Sequence, residues 1–267
     1  MIKNDFEVIT KKIKTSKDAK ILGVGDLHIG TIESNKQGWE NFVKLVLDDP
    51  LAYVIFVGDL MNNATKSSVS NCFEETMRPR DQKIYLVEKL KPLAEAGKII
   101  AIEPGNHERR SSKDADDDPL YDVAAKLDIE DVYRENMAII KIVVGNDGHN
   151  DNCYTILATH GAGGGMLTGS SVNRYERYAY YWDDIDIYMF GHTHKPFITK
   201  PNKMVLDKQK GIVSQKKMIV MVVPSWLQYA GYPVRGLMAP VESYDPDQPM
   251  GLMLSGKRRG HKIRLYW

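Results

Sequence analysis

The chain has 267 residues, 43% hydrophobic and 27% charged, which excludes wholesale disorder and is enough to bury a core without disulfides or a structural metal. Thirty-six Lys+Arg against 35 Asp+Glu leave a formal charge of +1, so bulk charge predicts no attraction to nucleic acid or membrane, and only a local patch could supply it. Two cysteines, Cys72 and Cys153, are too few for a disulfide framework and too far apart for a zinc knuckle. They read as reduced thiols of a cytoplasmic protein. The lysine-rich start has no apolar core of a signal peptide, and no stretch approaches the roughly 18 apolar residues of a membrane span.

In chain order, short β-rich apolar runs end in loops of unusual composition. Residues 21–24 lead into Gly25-Asp26-Leu27-His28, and 53–57 into Gly58-Asp59. Residues 98–102 lead into Pro104-Gly105-Asn106-His107-Glu108, 153–158 into Thr159-His160-Gly161, and 185–190 into Gly191-His192-Thr193-His194. Five predicted strands thus deliver polar clusters at their C-terminal ends, and this reading places them along one sheet edge, where open α/β sheets form ligand sites. Between them, helical spacing predicts a helix over 39–47, with Trp39, Phe42, Val43, Val46 and Leu47 inward. A second covers 81–96, with Ile84, Val87, Leu90 and Leu93 inward and Pro92 kinking or ending it. A third opens at Asp118 or Pro119, and a fourth covers 171–182. After Lys195 the character turns to β. Strands are predicted over 217–223, 250–254 and 262–266, a turn or mobile loop over 208–214, and a basic hairpin turn over 256–260. Strand–helix alternation without a linker predicts one layered α/β domain over 1–267, with a motif-bearing core at 21–195 and a β-rich part at 196–267.

Taken singly, each cluster is an ordinary polar turn. Together, Asp26, His28, Asp59, Asn106, His160, His192 and His194 bring imidazoles, carboxylates and an amide to one place, the donor set of a divalent transition-metal site. A structural zinc would favour cysteine ligands, and neither cysteine lies in a motif.

The ordered blocks Asp-x-His, Gly-Asp, Gly-Asn-His-Glu, His and Gly-His-x-His, running from Asp26 to His194, resemble the calcineurin-like metallophosphoesterase superfamily. The resemblance implies a four-layer α/β/β/α sandwich with a dinuclear centre between the sheets. It implies Asp26, His28 and His194 as ligands of one ion, Asn106, His160 and His192 as ligands of the other, Asp59 as the bridge, and His107 as the catalytic histidine. Two such ions clamp an in-line displacement at phosphorus and activate a water, so no protein nucleophile is expected. Mn²⁺ is the expected metal, with Fe, Zn, Ni or Co as alternatives.

Around this set, Glu108 stands where many relatives have aspartate, and reads as a structural group. Arg109 and Arg110 are candidates for a substrate phosphate, or solvated partners of the acidic 116–118 run. Asn62 and Asn63 are candidates for substrate hydrogen bonds or for a helix cap. The aromatic run Tyr175, Tyr178, Tyr180, Tyr181 and Trp182 reads as core packing first, and as a base-stacking or dimer surface second. Lys257, Arg258, Arg259, His261, Lys262 and Arg264 read as a solvated hairpin, with a nucleic-acid backbone as the alternative. The Asp-Leu-His-Ile-Gly opening resembles the DNA-repair exonuclease branch of the superfamily. The expected function is therefore phosphoester hydrolysis, as a phosphodiesterase or nuclease acting on DNA or a nucleotide. The alternatives are a phosphomonoesterase acting on a phosphoprotein or small metabolite, and a non-catalytic metal-site relative that binds proteins.

Overall fold

The computed structural model describes residues 4–66, 68, 72–146, 148, 150–165, 167–231, 234, 240, 243–245 and 248–266. Its strands are Ile9–Ile13 (β1), Asp18–Val24 (β2), Ala52–Val57 (β3), Ile99–Glu103 (β4), Ala138–Val144 (β5), Asn152–Thr159 (β6), Ile187–Phe190 (β7), Phe197–Thr199 (β8), Asn202–Asp207 (β9), Ile212–Lys217 (β10), Ile219–Val222 (β11), Gly251–Ser255 (β12) and Ile263–Tyr266 (β13). The α-helices are Lys36–Asp48 (α1), Pro79–Glu95 (α2), Arg109–Ala115 (α3), Pro119–Lys126 (α4) and Thr168–Ala179 (α5).

Period-two alternation sorts the strand side chains into separate cores. From β2 and β3, Leu22, Val54 and Phe56 pack on Trp39 and Phe42 of α1, Leu86 and Leu90 of α2, and Leu120 of α4. Their neighbours Ile21, Ile55 and Val57 turn the other way, onto Ile140, Ile156, Ile187 and Met189 of a second sheet. That sheet's far face, with Leu157, Tyr188 and Phe190, packs on Tyr175 and Ala179 of α5. The layers are therefore helices, sheet, sheet, helix, the α/β/β/α sandwich. One sheet has the order β13-β12-β2-β3-β4 and the other β1-β5-β6-β7-β11-β8. Strands β2, β3 and β4 are parallel, as are β6, β7 and β11, so each group sends its C-terminal ends one way.

Helix starts follow their chemistry. Asn35 accepts the Gly38 N–H at 2.9 Å to open α1. Asp118 accepts from Leu120 and Tyr121, with Pro119 as the first residue of α4, so both predicted openers act together.

Several expectations are corrected. The five motif-bearing strands do not share one sheet edge: β2, β3 and β4 belong to one sheet, β6 and β7 to the other. Leu47 and Ile84 are exposed rather than inward, Ile84 because Gln82 is buried in its place. The Gln82 amide bonds Glu75, the Met77 carbonyl and the Asn63 N–H, which turns α2 away from the purely apolar register. Pro92 lies inside α2 and does not end it, since the helix continues to Glu95. The expected loop over 208–214 is a turn followed by β10, and the expected strand 217–223 is split at Met218. Strand β12 joins the first sheet antiparallel to β2, and β13 pairs antiparallel with β12 at its edge, while β1 crosses to the second. The basic turn between β12 and β13 therefore lies by Asp18, at the opposite end of β2 from Asp26.

Trp226 is wholly buried, stacked on Tyr244 at 3.9 Å and edge-on to Trp39 and Phe42. Trp226→Ala should cost about 3–5 kcal/mol of unfolding free energy in a denaturant titration. A loss under about 1 kcal/mol would show that this aromatic cluster does not support the helical layer.

Candidate metal centre

Five of the seven candidate ligands have left-handed backbone: Asp26 (φ 53°), His28 (47°), Asp59 (51°), His192 (70°) and His194 (55°). Such conformations cost on the order of 1 kcal/mol or more each outside glycine, so the surroundings must impose them. A ladder of backbone hydrogen bonds does so across the two loops that leave β2 and β3. The N–H groups of Asp26, His28 and Ile29 donate to the carbonyls of Gly58, Asp59 and Leu60 at 3.0, 3.0 and 2.9 Å. The Asp26 carbonyl takes the Trp226 N–H at 3.1 Å and the Ser225 hydroxyl at 3.2 Å. Gly58 must be glycine: its φ is +81°, and a Cβ would lie 2.5 Å from Gly105 N and 2.8 Å from the His160 ring.

Buried Glu108 ties the β3 and β4 loops together. Its carboxylate accepts the N–H groups of Asp59 (3.0 Å), Met61 (2.8 Å) and Gly105 (2.8 Å). Burial and the Asp59 charge push the Glu108 pKa up to about 7. This fits the structural role expected for Glu108.

The donors meet in two main groups, and a third, His28, Asp59 and His107, shares one residue with each of them. Asp26, His28 and His194 form the first: His194 Nε2 lies 3.1 Å from Asp26 Oδ1 and 3.1 Å from His28 Nε2. His160 and His192 join Asp59 in the second, and His192 Nδ1 lies 3.2 Å from His160 Nε2. The Asn106 amide oxygen stands 3.0 Å from His160 Nε2 and 2.7 Å from His192 Nδ1. Asp59 Oδ2 sits between the groups, 3.3 Å from His160 Nε2 and 3.9 Å from His28 Nε2. Its other oxygen takes the His107 N–H at 2.8 Å. His107 Nε2 lies 3.8 Å from Asp59 Oδ2.

Protonation follows the charges. Burial opposes a charge on His160, but Asp59 and Asp26 outweigh it and raise its pKa to about 10. Desolvation likewise opposes a charge on His194, and Asp26 and Asp59 raise it nonetheless. Burial holds His28 well below the ordinary imidazole value, and it also lowers His107 and His192. Although burial alone would raise Asp59, the imidazoles of His160, His107 and His28 hold it well below the carboxylate range.

This donor set fits divalent ions. Ring nitrogens from separate loops lie 3.1–3.2 Å apart beside carboxylate oxygens, the mixed nitrogen and oxygen donors that a divalent ion takes. His160 Nδ1 donates to the Val57 carbonyl at 2.8 Å, which fixes the tautomer and leaves Nε2 free to ligate.

The three residues expected to contact substrate separate. Arg109 binds the carbonyls of Pro104 and Glu135, at 3.2 and 2.7 Å, away from the donor groups. Arg110 lies against His107 Nε2 at 2.9 Å and bonds the Asn62 carbonyl at 3.0 Å. That same carbonyl takes His107 Nδ1 at 2.9 Å, while the Asn62 amide is held by Glu75. Asn63 bonds the carbonyls of His107 and Glu108 and fastens this loop. Sequence reasoning missed Glu75, Gln82, Ser225 and Trp226. The Val-Pro-Ser-Trp that follows β11 was the available signal for the last two.

Residues 19–196, from β2 through the His192–His194 loop, match the calcineurin-like phosphoesterase family. The chain belongs to this family. A calcineurin-like phosphoesterase is a metal-dependent hydrolase of phosphoester bonds, and the donor groups described above could hold divalent ions. Among solved structures, it is similar to a conserved uncharacterized protein of Streptococcus pneumoniae TIGR4, described as a predicted phosphoesterase. That likeness has 12% identity, covers 94% of this chain and 95% of that one, and has a TM-score of 0.35. It is also similar to a metallophosphoesterase from Sphaerobacter thermophilus, at 13% identity over 92% and 87% of the two chains, with a TM-score of 0.37. No curated protein matches. No helix among the described residues is long and apolar enough to cross a membrane.

The raised pKa values of His160 and His194 give metal binding a sign. At pH 7.5 the His160 ring is doubly protonated in the metal-free protein, the His194 ring is shifted the same way, and ligation needs both neutral. Calorimetric titration of the metal-free chain with Mn²⁺ in buffers of different ionisation enthalpy should show release of about one to two protons. Zero release or uptake would remove His160 and His194 from the ligand set. In the metal-free fold the His160–Asp59 pairing stabilises fully below the ordinary imidazole value, and it is lost as pH rises through about 10.

Proposed function

We propose that this phosphoesterase is a dinuclear phosphodiesterase with a preference for nucleotide or polynucleotide esters. In this reading Asp26, His28 and His194 hold one ion, Asn106, His160 and His192 hold the other, and Asp59 serves both. The observation that carries it is the place of Asp59 Oδ2, within 3.9 Å of one imidazole of each group. Bound there, two divalent ions supply positive charge to the phosphoryl oxygens and lower the pKa of a water. Nitrogen and oxygen donors with a shared carboxylate suit Mn²⁺.

The chain's own groups arrange the rest. Asn106 offers a neutral oxygen, which limits the negative charge facing an anionic ester. Glu108 holds the Asp59 backbone, and Asp59 in turn holds His107 by its N–H. His107 Nδ1 donates to the Asn62 carbonyl, and its Nε2, which accepts from Arg110 here, would exchange a proton with a leaving oxygen once a phosphate oxygen takes that guanidinium. Arg110 sets a guanidinium beside that nitrogen, in reach of a phosphate oxygen. A diester carries a second organic substituent, and exposed Ile32, Phe73 and Leu167 on the loops that follow β2, β3 and β6 offer apolar surface for it. Consecutive strands β1 and β2 enter different sheets, and the late strands β12 and β13 return to β2, which supports reading 1–267 as one domain. Unpaired Cys72 and Cys153 suit a cytoplasmic setting.

Hydrolysis of bis-p-nitrophenyl phosphate, p-nitrophenyl phosphate and labelled single- and double-stranded DNA, each with added Mn²⁺, tests the preference. Turnover of the diester and of DNA is expected; turnover of the monoester alone would replace this reading with a phosphatase. His107→Ala should lower kcat by about 10²–10⁴ with metal content unchanged. Asp59→Asn should abolish turnover and weaken both sites, and near-normal activity in that variant would end the assignment of a shared ligand.

A further inference from the structure

Strands β8 and β9 form one side of a single antiparallel ribbon, and β10 and β11 form the other. Thr199 pairs with Val220 in the inner half, Met218 N donates to the Pro201 carbonyl at 3.0 Å, and the same register continues from Asn202–Lys217 to Asp207–Ile212. The inner half is the edge of the six-stranded sheet, whereas the outer half is a two-stranded sheet of its own. The root of this arm is fastened: Lys203 Nζ donates to the Trp182 carbonyl and Asp183, and Lys216 Nζ to Asp184. Its tip is a formed turn, in which Asp207 accepts the N–H groups of Gln209, Lys210 and Gly211. Between root and tip, Met204 (65%), Leu206 (57%), Ile212 (57%) and Val213 (57%) lie exposed. A two-stranded ribbon alone in water is marginally stable, and its open edges are templates for another strand.

We infer that β9 pairs with β9 of a second copy of this chain, antiparallel about a two-fold axis through Val205. Backbone groups along a strand alternate in direction, so a two-fold pairing must match residues that point the same way. Such registers differ by steps of two residues. One of them sets Val205 opposite Val205, Met204 opposite the second copy's Leu206, and Lys203 opposite the second copy's Asp207. Symmetry makes each of the last two pairs twice, giving two opposite-charge pairs and an apolar centre. A register one step away in either direction sets Lys203 against Val205, or Val205 against Asp207, and loses both charge pairs. The other open edge does not self-match, because β10 has two lysines, Lys216 and Lys217, and no acid. The Lys203 ammonium has three N–H donors, and Trp182 and Asp183 use two, so Asp207 of a second copy, whose outer oxygen only Lys210 among the described residues faces, at 3.7 Å, can take the third. Antiparallel arms set the tip of each beside the root of the other, with the two bodies at opposite ends. The strand edges alone bury less than the roughly 800 Å² per partner of a standard interface, so the dimer is concentration-dependent.

Cysteine cross-linking of the full chain at about 100 µM tests this, in a Cys72→Ser, Cys153→Ser background. Residues directly opposite have Cα atoms about 4.5–5.5 Å apart, within disulfide reach, and those one step out of register about 7–8 Å. Val205→Cys should therefore form a disulfide-linked dimer under mild oxidation. Met204→Cys and Leu206→Cys should each do so several-fold less well alone, and should cross-link to each other when mixed. In sedimentation equilibrium, Met204→Lys should weaken the dimer at least tenfold, and Met204→Lys with Leu206→Glu should restore it, since the two charges then face each other. A monomer at that concentration, or equal cross-linking at all three positions, would overturn the pairing.

Discussion

The Asp59 carboxylate is the interaction on which the rest of the site depends. One oxygen faces imidazoles from both donor groups, and the other fixes the backbone of His107. A buried carboxylate is costly unless compensated, and here three imidazoles, together with any ions they help to hold, provide the compensation. The same residue therefore sets the spacing of the two donor groups and the place of His107, the proposed catalytic histidine. Its own backbone is held by Glu108, which also holds Gly105 and so couples the loops of β3 and β4.

The sandwich makes this convergence possible. Parallel strands aim their C-terminal loops the same way in both sheets, and packing of the inner faces brings the two loop sets together. The left-handed backbone at Asp26, His28, Asp59, His192 and His194 is the local cost of turning five side chains toward one point. Inter-loop hydrogen bonds and the glycine at position 58 hold these turns.

Much of this was legible in the sequence. Motif-bearing strands were visible because apolar β-branched runs end abruptly in Gly-Asp, Gly-Asn-His or Gly-His, and the order of those blocks carried the family. What stayed hidden depended on pairing between distant segments. Period-two patterns identify strands but not their sheet, so the division of β2–β4 from β6 and β7 was invisible. Ile84 misled because a buried glutamine with three partners can outweigh an isoleucine in orienting a helix. Arg109 and Arg110 are adjacent in sequence and alike in chemistry, yet α3 points one at the carbonyl of Glu135 and the other at His107. The arm of β9 and β10 was hidden by its lysines and by its mixed, half-polar faces.

The route of the chain through the two sheets bears on how the protein emerges during synthesis. Strand β2 carries the Asp26–His28 loop, and its partner on one side is β12, more than two hundred residues further along. The Asp26 carbonyl likewise waits for Ser225 and Trp226. A growing chain can complete neither the first sheet nor its first ligand loop until those late segments leave the ribosome. Formation of the candidate metal site is thereby deferred until β12 has emerged, and the unpaired edge of β2 is the segment most in need of protection during that interval.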